Sequence, residues 1–470
     1  MARGGRVDGL GPVVEGGPGS ARLFTRELKK QTRHNLRNFL KSIAADAEFV
    51  ESVTRQTEGL PVFGNLRCGA WYLQDLQHSC CFKSTDGHYR NWDFSTRRLN
   101  LDVAMEAAHQ GGCVLVDSTR RGKPFPDSFN KTVPIWCAVI NRAVHSANGQ
   151  DQPDPDTDAT WTSLHCSRWV PEHEVAAMQC LLEKWDAKLE SLGLELNQLA
   201  STLQKPLRCV WINPDSRLSS HEFGTEHRRA LPFIPVVCLS ASTVVHAEEG
   251  GGVPQQGNWQ YIQGAADDEE SWAQGLTHRA FWLHRDRLLE ADSTDIDTLV
   301  QQVATQTATT PTHHSVSCGV VSWVVADCLG VCSGVDVTAP DAQDLYVFDI
   351  STTPPPHSGP HYLHIPVPLV AKLSQGHVSA MLHRVVSVAT RCWQHGQPVL
   401  VADTSGTGIG VCVCACLCLC LAPDHEPTSI KQRVNRALCR VQTVALLPVP
   451  SRRTVKQLTR FLSEGHEEDT

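Results

Sequence analysis

The stretch from Val114 to Asn141, VLVDSTRRGKPFPDSFNKTVPIWCAVIN, constrains this chain more than any other. An apolar run ends in Asp117-Ser118-Thr119, passes at once into Arg120-Arg121-Gly122-Lys123, and gives way to a second apolar run from Val133 to Ile140. A buried strand that delivers hydroxyls, a carboxylate and three cations to its C-terminal end is how α/β folds present a site to an anionic ligand. Arg120, Arg121 and Lys123 suit phosphate, because guanidinium forks and an ammonium satisfy its oxygens with charge-assisted hydrogen bonds. On pattern alone the string serves equally as a polar connection between two core strands.

At 470 residues the chain is too long for one core and is expected to hold two or three domains. Its apolar and charged fractions, 41% and 20%, are those of an ordinary soluble protein. A net charge of −8 means that any nucleic-acid surface must be a local basic patch. Of nineteen cysteines, five (Cys412, Cys414, Cys416, Cys418 and Cys420) crowd one apolar run. Met1 to Ser20 is Gly-rich without an apolar core, so no signal peptide is expected there. Free thiols in a reducing, cytoplasmic compartment follow as the simpler expectation. Gln397 to Ala422 contains Asp403 and TSGTGIG, which leaves only about a dozen apolar residues, short of the ~20 that span a bilayer. It reads as a buried strand, a glycine turn and a buried helix.

Taken in order, residues 1–20 read as disordered and Leu23 to Phe49 as a helix. Arg22, Arg26, Lys29, Lys30, Arg33, Arg37 and Lys41 fall within an arc of roughly 120°, with Leu28, Leu36, Phe39 and Ile43 on the adjoining face. A cationic stripe without acids is suited to a phosphate backbone, although such stripes are commonly just solvated. FKSTDGHYRNWDFSTRRLNLD, from Phe82 to Asp102, offers Lys83, Ser84, Thr85 and His88 to phosphate or ribose hydroxyls, and Arg97-Arg98 to nucleic acid. Residues 148–158 read as a mobile acidic loop. Pro171 then opens a helix with a packing stripe at Met178, Leu181, Leu182, Trp185, Leu189 and Leu192. Strands are expected at Leu207 to Ile212 and Phe233 to Leu239.

In YIQGAADDEESW, Asp267, Asp268 and Glu269 precede a helix expected to contain Trp272, Leu276 and Phe281. Acids in a first helical turn are favoured by the helix dipole alone. They also suit Mg²⁺ ligation or general-base chemistry, because hard oxygen ligands match a metal on pyrophosphate. A first domain over 21–340 and a second over 345–465 are expected. The second comprises strands at VFDIS, Leu363 to Pro366 and Val399 to Ala402, a long helix over about Leu369 to His395, the Cys-rich helix and a basic helix over Thr428 to Leu446, with Thr454 to Leu462 ending the fold.

The motifs FKSTDGH, FSTRRLNL, DSTRRGK, KTVPIWC, YIQGAADD and a late PSR closely resemble the initiator tRNA 2′-O-ribosylphosphate transferases of fungi and plants, from about Leu28 to Phe461. The resemblance implies transfer of a 5-phosphoribosyl group from phosphoribosyl pyrophosphate to the 2′-hydroxyl of adenosine-64 of initiator methionine tRNA. It implies a large N-terminal α/β domain followed by a C-terminal α/β domain like that of dual-specificity phosphatases. In that second domain Asp403 stands where the nucleophilic cysteine belongs and Ile409 where the arginine belongs, so phosphocysteine chemistry is not expected. The turn Asp403-Thr404-Ser405-Gly406-Thr407-Gly408 retains amides suited to phosphate.

On this reading Lys83, Arg120, Arg121 and Lys123 hold phosphates, with Ser84, Thr85, His88, Ser118 and Thr119 beside them. Asp267 and Asp268 are expected to bind Mg²⁺, and Asp117 or Asp127 to act as base or ribose anchor. The tRNA is expected across Arg26, Lys29, Lys30, Arg33, Arg37, Arg97 and Arg98, read by the shape of an A-form stem. A non-catalytic tRNA-binding protein and a phospho-ligand-binding pseudophosphatase remain the alternatives.

Overall fold

Two five-stranded sheets organise the chain in the computed structural model. Residues 36–464 are described, apart from 58, 149–159, 195, 217–223, 246–254, 257–258, 293–294, 310–321, 326–327, 333–344, 352–360, 368–373, 404, 406–407, 423–428 and 445–449. The first sheet is parallel throughout, in the order β2 (His78–Cys80), β1 (Val62–Asn65), β3 (Cys113–Asp117), β5 (Ile234–Ser240), β4 (Leu207–Ile212). Every residue of β3 is buried, as a central strand covered on both faces requires. Cys113 and Leu115 join the core formed with helices Leu101–Gln110 and Val133–Ala147, whereas Val114 and Val116 join that formed with helix Leu36–Gln56. The result is a three-layer α/β/α sandwich.

Several expectations shift here. The apolar run from Val133, a candidate second strand, is a helix, entered through a five-residue π turn at Ser128–Thr132. Pro134 decides between them: in a first helical turn its missing N–H costs nothing, whereas in a central strand it would break the ladder. The helix opened by Pro171 divides into Glu172–Gln179 and Leu182–Glu190, with Met178, Leu182, Trp185 and Leu189 buried. After Asp267-Asp268 there is no helix containing Trp272. A single 3-10 turn, Glu269–Ser271, is followed by a separate helix, His278–Leu283, capped by Thr277. The expected Leu23 to Phe49 helix is described from Leu36 onward, with Leu36, Phe39 and Ile43 buried as anticipated. Arg22, Arg26, Lys29, Lys30 and Arg33 lie outside the described residues, as do residues 1–20 and 149–158.

A two-residue ribbon pairs β6 (Gln255–Gln256) with β7 (Trp259–Gln260). The second sheet runs β11 (Tyr362–Pro366), β10 (Tyr346–Ser351), β12 (Val399–Asp403), β9 (Leu329–Cys332), β8 (Ser322–Val325), with β8 and β9 an antiparallel hairpin on an otherwise parallel sheet. Residues 322–332 were expected in the first domain and instead complete this second sheet. Their hydrogen-bonding partner is β12, some seventy residues later, which no local pattern announces. Helices Gln375–Gln394, Ile409–Leu421, Ile430–Val444 and Arg452–Glu464 complete the domain, and the Cys-rich helix is its buried centre. Among the described residues no helix is long and apolar enough to cross a membrane.

Candidate active site

In the first sheet, β1 connects to β2 on one side and the chain then crosses to β3 on the other. The carboxyl ends of β1 and β3 therefore flank a topological switch point, the place where open α/β sheets bind ligands. β1 ends in Asn65, followed by Arg67 and Cys68, and β3 ends in Asp117, followed by Ser118 to Lys123. Gly69 lets the two strand ends close up, since a Cβ there would sit 1.8 Å from the Val116 carbonyl. Gly264, at φ +64°, brings the 263–268 loop onto the same ends, with Thr119 O only 2.5 Å from where its Cβ would be.

Asp117, fully buried, is the anchor. Its Oδ2 accepts from Asn65 Nδ2 (2.8 Å), Ser128 Oγ (2.8 Å) and Arg67 Nε (3.2 Å), and its Oδ1 from Arg67 Nη2 (3.0 Å), Cys68 Sγ (2.9 Å) and the Ser118 amide (2.9 Å). Arg67 passes its remaining nitrogen to Asp267 (2.6 Å), Asp267 pairs with Arg120 Nε (2.7 Å), and Arg120 Nη2 reaches Asp268 (2.7 Å). Five alternating charges thus climb from a side chain with no exposure at Asp117 to one 61% exposed at Asp268. This is how a buried carboxylate is tolerated: it is paired and saturated with donors. Burial pushes the Cys68 thiol well up, so it serves Asp117 as a donor and is no nucleophile.

Two expected roles change with this geometry. Asp117 has no oxygen left for a substrate proton, so it positions Arg67 and does not act as base. Asp267 and Asp268 are each held by a guanidinium, and a divalent cation between them would face Arg67 and Arg120 at close range. The pair does not fit a metal site, and among the described residues no group of three or more His, Cys, Asp or Glu is placed to hold one.

Beside the ionic chain lies a cationic turn. Arg121 (φ +62°) and Gly122 (φ +70°) are both left-handed, and Gln263 staples the turn by accepting from the Gly122 amide (2.9 Å) and donating to Lys123 O (2.8 Å). Arg121 is exposed and held in a conformation that disfavours a side chain, a cost that persists where function requires it. Across the mouth, the Ser84–Gly87 turn packs on the π turn, and Thr132 Oγ1 donates to Lys83 O (2.9 Å). This brings His88 to 3.8 Å and Lys123 to 3.4 Å from Asp127, whose side chain is 21% exposed. Lys83, Ser84, Thr85, His88, Ser118, Thr119, Arg120, Arg121, Lys123, Asp127, Asp267 and Asp268 thus belong to one neighbourhood. Arg37 lies on helix Leu36–Gln56, Arg97 is half-buried, and Arg98 lies 3.8 Å from Asp86.

Sequence reasoning missed Asn65, Arg67 and Cys68, and also Tyr72, whose hydroxyl lies 2.9 Å from Ser118 Oγ. The signal was present, because VFGN followed by a polar Arg-Cys repeats the strand-end logic of VLVD followed by Ser-Thr-Arg. It also missed the layer beneath the 263–268 loop, where buried Asp46 accepts from Tyr261 Oη (2.6 Å) and Ser242 Oγ (3.0 Å), and Ser242 Oγ accepts from the Gly264 amide (3.0 Å). Burial pushes the Asp46 carboxyl up to about 8 against those hydrogen bonds, so at neutral pH it is mostly protonated.

The turn after β12 differs from its expected role. Asp403 is buried, its Oδ2 accepts the Gly410 amide (2.8 Å), and its Oδ1 accepts the Ser405 amide (2.9 Å) and hydroxyl (2.6 Å). The carboxylate occupies amides that a phosphate would need and repels a second anion, so Asp403, Ser405 and Gly408 do not form a phosphate cradle. Thr404, Gly406 and Thr407 lie outside the described residues. Asp403→Ala should cost about 1–3 kcal/mol of stability through orphaned amides. It should leave activity per folded molecule unchanged, as calorimetry and turnover together would register.

A cavity of about 820 Å³ lies at the other end of β1, beside Val62. Glu48, Glu51, Asp75 and Glu106 line it, the wrong sign for a polyphosphate.

The family model described as the Rit1 N-terminal domain matches residues 28–305, and that described as the Rit1 DUSP-like domain matches residues 361–462. An uncharacterized protein of Schizosaccharomyces pombe is 36% identical over 298 residues, 62% of this chain and 61% of its own length. The tRNA A64-2′-O-ribosylphosphate transferase of Saccharomyces cerevisiae is 33% identical over 290 residues, 58% of this chain and 54% of its own. The chain thus spans between half and two thirds of the length of these relatives. The crystal structure of human DUSP28 aligns with 32% of this chain and 98% of its own at 18% identity, with a TM-score of 0.25 that carries no argument.

Proposed function

The chain belongs to the Rit1 family, and from that premise we propose that it is a tRNA-modifying transferase that moves a 5-phosphoribosyl group from phosphoribosyl pyrophosphate to the 2′-hydroxyl of adenosine-64 of initiator methionine tRNA. The observation that carries this reading is the DSTRRGK turn at the switch point, where exposed Arg121 and Lys123 stand over an ionic chain that holds Arg120. The acceptor oxygen forms its bond to the donor's anomeric carbon as the bond to pyrophosphate breaks, and the electron pair leaves with pyrophosphate. Arg121 and Lys123, with Lys83 across the mouth, stabilise that developing charge. Asp127, partly exposed between His88 and Lys123, takes the hydroxyl proton. Every described cysteine is a free thiol, in keeping with a cytoplasmic location.

Label transfer from radioactive phosphoribosyl pyrophosphate to unmodified initiator tRNA, but not to elongator methionine tRNA, is the expected result. Intact binding of both tRNAs without transfer would mark the chain as a non-catalytic tRNA binder. Arg121→Gly gives a sharper test of the turn. Glycine relieves the left-handed strain, so the melting temperature should hold or rise, by up to ~1 kcal/mol of stability. Transfer should nevertheless fall by roughly 2 kcal/mol in transition-state stabilisation. A variant that turns over normally would remove Arg121 from the donor site.

A further inference from the structure

The C-terminal domain reaches the first domain through helix Ile430–Val444, whose buried Cys439 donates to the carbonyl of Thr96 (2.6 Å) and joins the first domain's core. This contact brings the last helix, Arg452–Glu464, toward the rim of the active site. Arg452 lies close enough to Lys83 to act on it electrostatically. Lys83 is already beside Arg98, and partial burial first, then these two guanidiniums, lower its pKa. The nearby carboxylate of Asp86 is 3.8 Å from Arg98, and Asp93 is taken by Lys188 at 2.8 Å. Cations from two domains therefore converge with too few acids between them.

The last helix is built to present its charge outward. Val455 and Leu458 are buried in the second domain, whereas Arg452, Arg453 and Lys456 are exposed. Arg452 and Lys456, one turn apart, share a face. Like charges one turn apart on an exposed face repel modestly, and an anion bound across them turns that repulsion into attraction. The anion that spans two domains beside a transferase site is a polyphosphate backbone with the regular spacing of an A-form stem.

We infer that the DUSP-like domain is a tRNA-docking module: its last helix, through Arg452, Arg453 and Lys456, joins Arg97 and Arg98 of the first domain in one surface that grips the phosphate backbone of the acceptor tRNA. The inference rests on the transferase reading for the identity of the RNA. It explains why a domain whose loop is closed by Asp403 is retained on the chain: its contribution is surface charge, and phosphate chemistry at its own loop is not required. Contacts of this kind position the stem and carry no sequence information, so selection of the initiator lies elsewhere.

The test is fluorescence anisotropy of a labelled, unmodified initiator tRNA transcript titrated with full-length protein from low to moderate salt, without donor. Arg452→Glu/Arg453→Glu/Lys456→Glu should weaken binding at least tenfold near physiological salt. It should also reduce the slope of log affinity against log salt by about 2, since each lost phosphate contact removes roughly 0.7–0.9. The milder triple glutamine variant should show about half the loss and serves if the reversed one misfolds. Reversing three cations elsewhere (Arg55, Lys184 and Arg287) should leave the slope unchanged. Unchanged slope and affinity in the glutamate or glutamine variant would overturn the inference, as would loss of binding to phosphatidylserine vesicles with tRNA binding intact. Should the parent bind tRNA in this way but transfer no label, the transferase reading falls and the docking surface stands. Normal transfer by the triple variant with an unaltered KM for tRNA would have the opposite meaning.

Discussion

Arg67→Ala is expected to be the most damaging single change at the site, in stability and turnover together. It strips Asp117 of the one cation paired with it among the described residues while leaving that carboxylate with no exposure to water. Breaking a buried pair from one side costs about 3–5 kcal/mol, because the charge left behind is neither solvated nor compensated. The same deletion frees Asp267, and with it the Arg120 side chain that Asp267 orients. Misplacement of a charged group by about an ångström is enough to cost roughly a hundredfold in rate. The two effects separate in a double variant. Adding Asp117→Asn to Arg67→Ala removes the stranded charge, so much of the stability should return, while transfer per folded molecule should not. Denaturant titration and label transfer on the four members of the cycle measure this directly. A loss under 1 kcal/mol in Arg67→Ala would mean that the neutral donors around Asp117 suffice by themselves.

The second large effect is a dependence on pH that resides in Asp46. Its folded carboxyl titrates at about 8, because burial dominates over the hydrogen bonds from Tyr261 and Ser242. In the unfolded chain it titrates near 4. Between those values the folded chain keeps a proton that the unfolded chain has released. Stability is therefore fully present below about pH 4, falls as pH rises, and levels off above about pH 8. The whole span is on the order of 5 kcal/mol. Asp46→Asn keeps the shape of the protonated side chain and cannot ionise. Its denaturation midpoint should match the parent's below about pH 4, exceed it by a growing margin up to about pH 8, and keep that margin above. Because Asp46 supports the 263–268 loop through Ser242 and Gly264, parent activity should decline as the folded carboxyl ionises around pH 8. Parallel stability curves for the two proteins would show that Asp46 is ionised in the fold and sink this account.

Much of this site was legible before any coordinates. Strand ends leave a trace, because a short apolar run that stops at Asp-Ser-Thr is the pattern of a buried strand emerging at a polar edge. That placed Ser118 to Lys123 at the mouth. The Cys-rich run was recognisable as a helix from its position after a glycine turn, despite a strand-like alternation. Motifs spanning nearly the whole chain indicated the family. Chemistry carried by neighbours in sequence survives without a fold.

Partnership does not. Arg67 and Asp267 are 200 residues apart, and only the closing of β1 and β3 around Gly69, with Gly264 against Thr119, makes them a pair. Once paired, their meaning reverses. Acids that looked free for magnesium are ion-paired to arginines, and Asp117, which looked like a base, is saturated by six donors from three segments. The run from Val133 is a helix because an apolar run has no period of its own, and Pro134, tolerated in a first helical turn and not in a central strand, selects the form. Charge type and strand ends were determined by sequence. Burial and pairing, which decide what each charge does, were determined by which distant strands lay side by side.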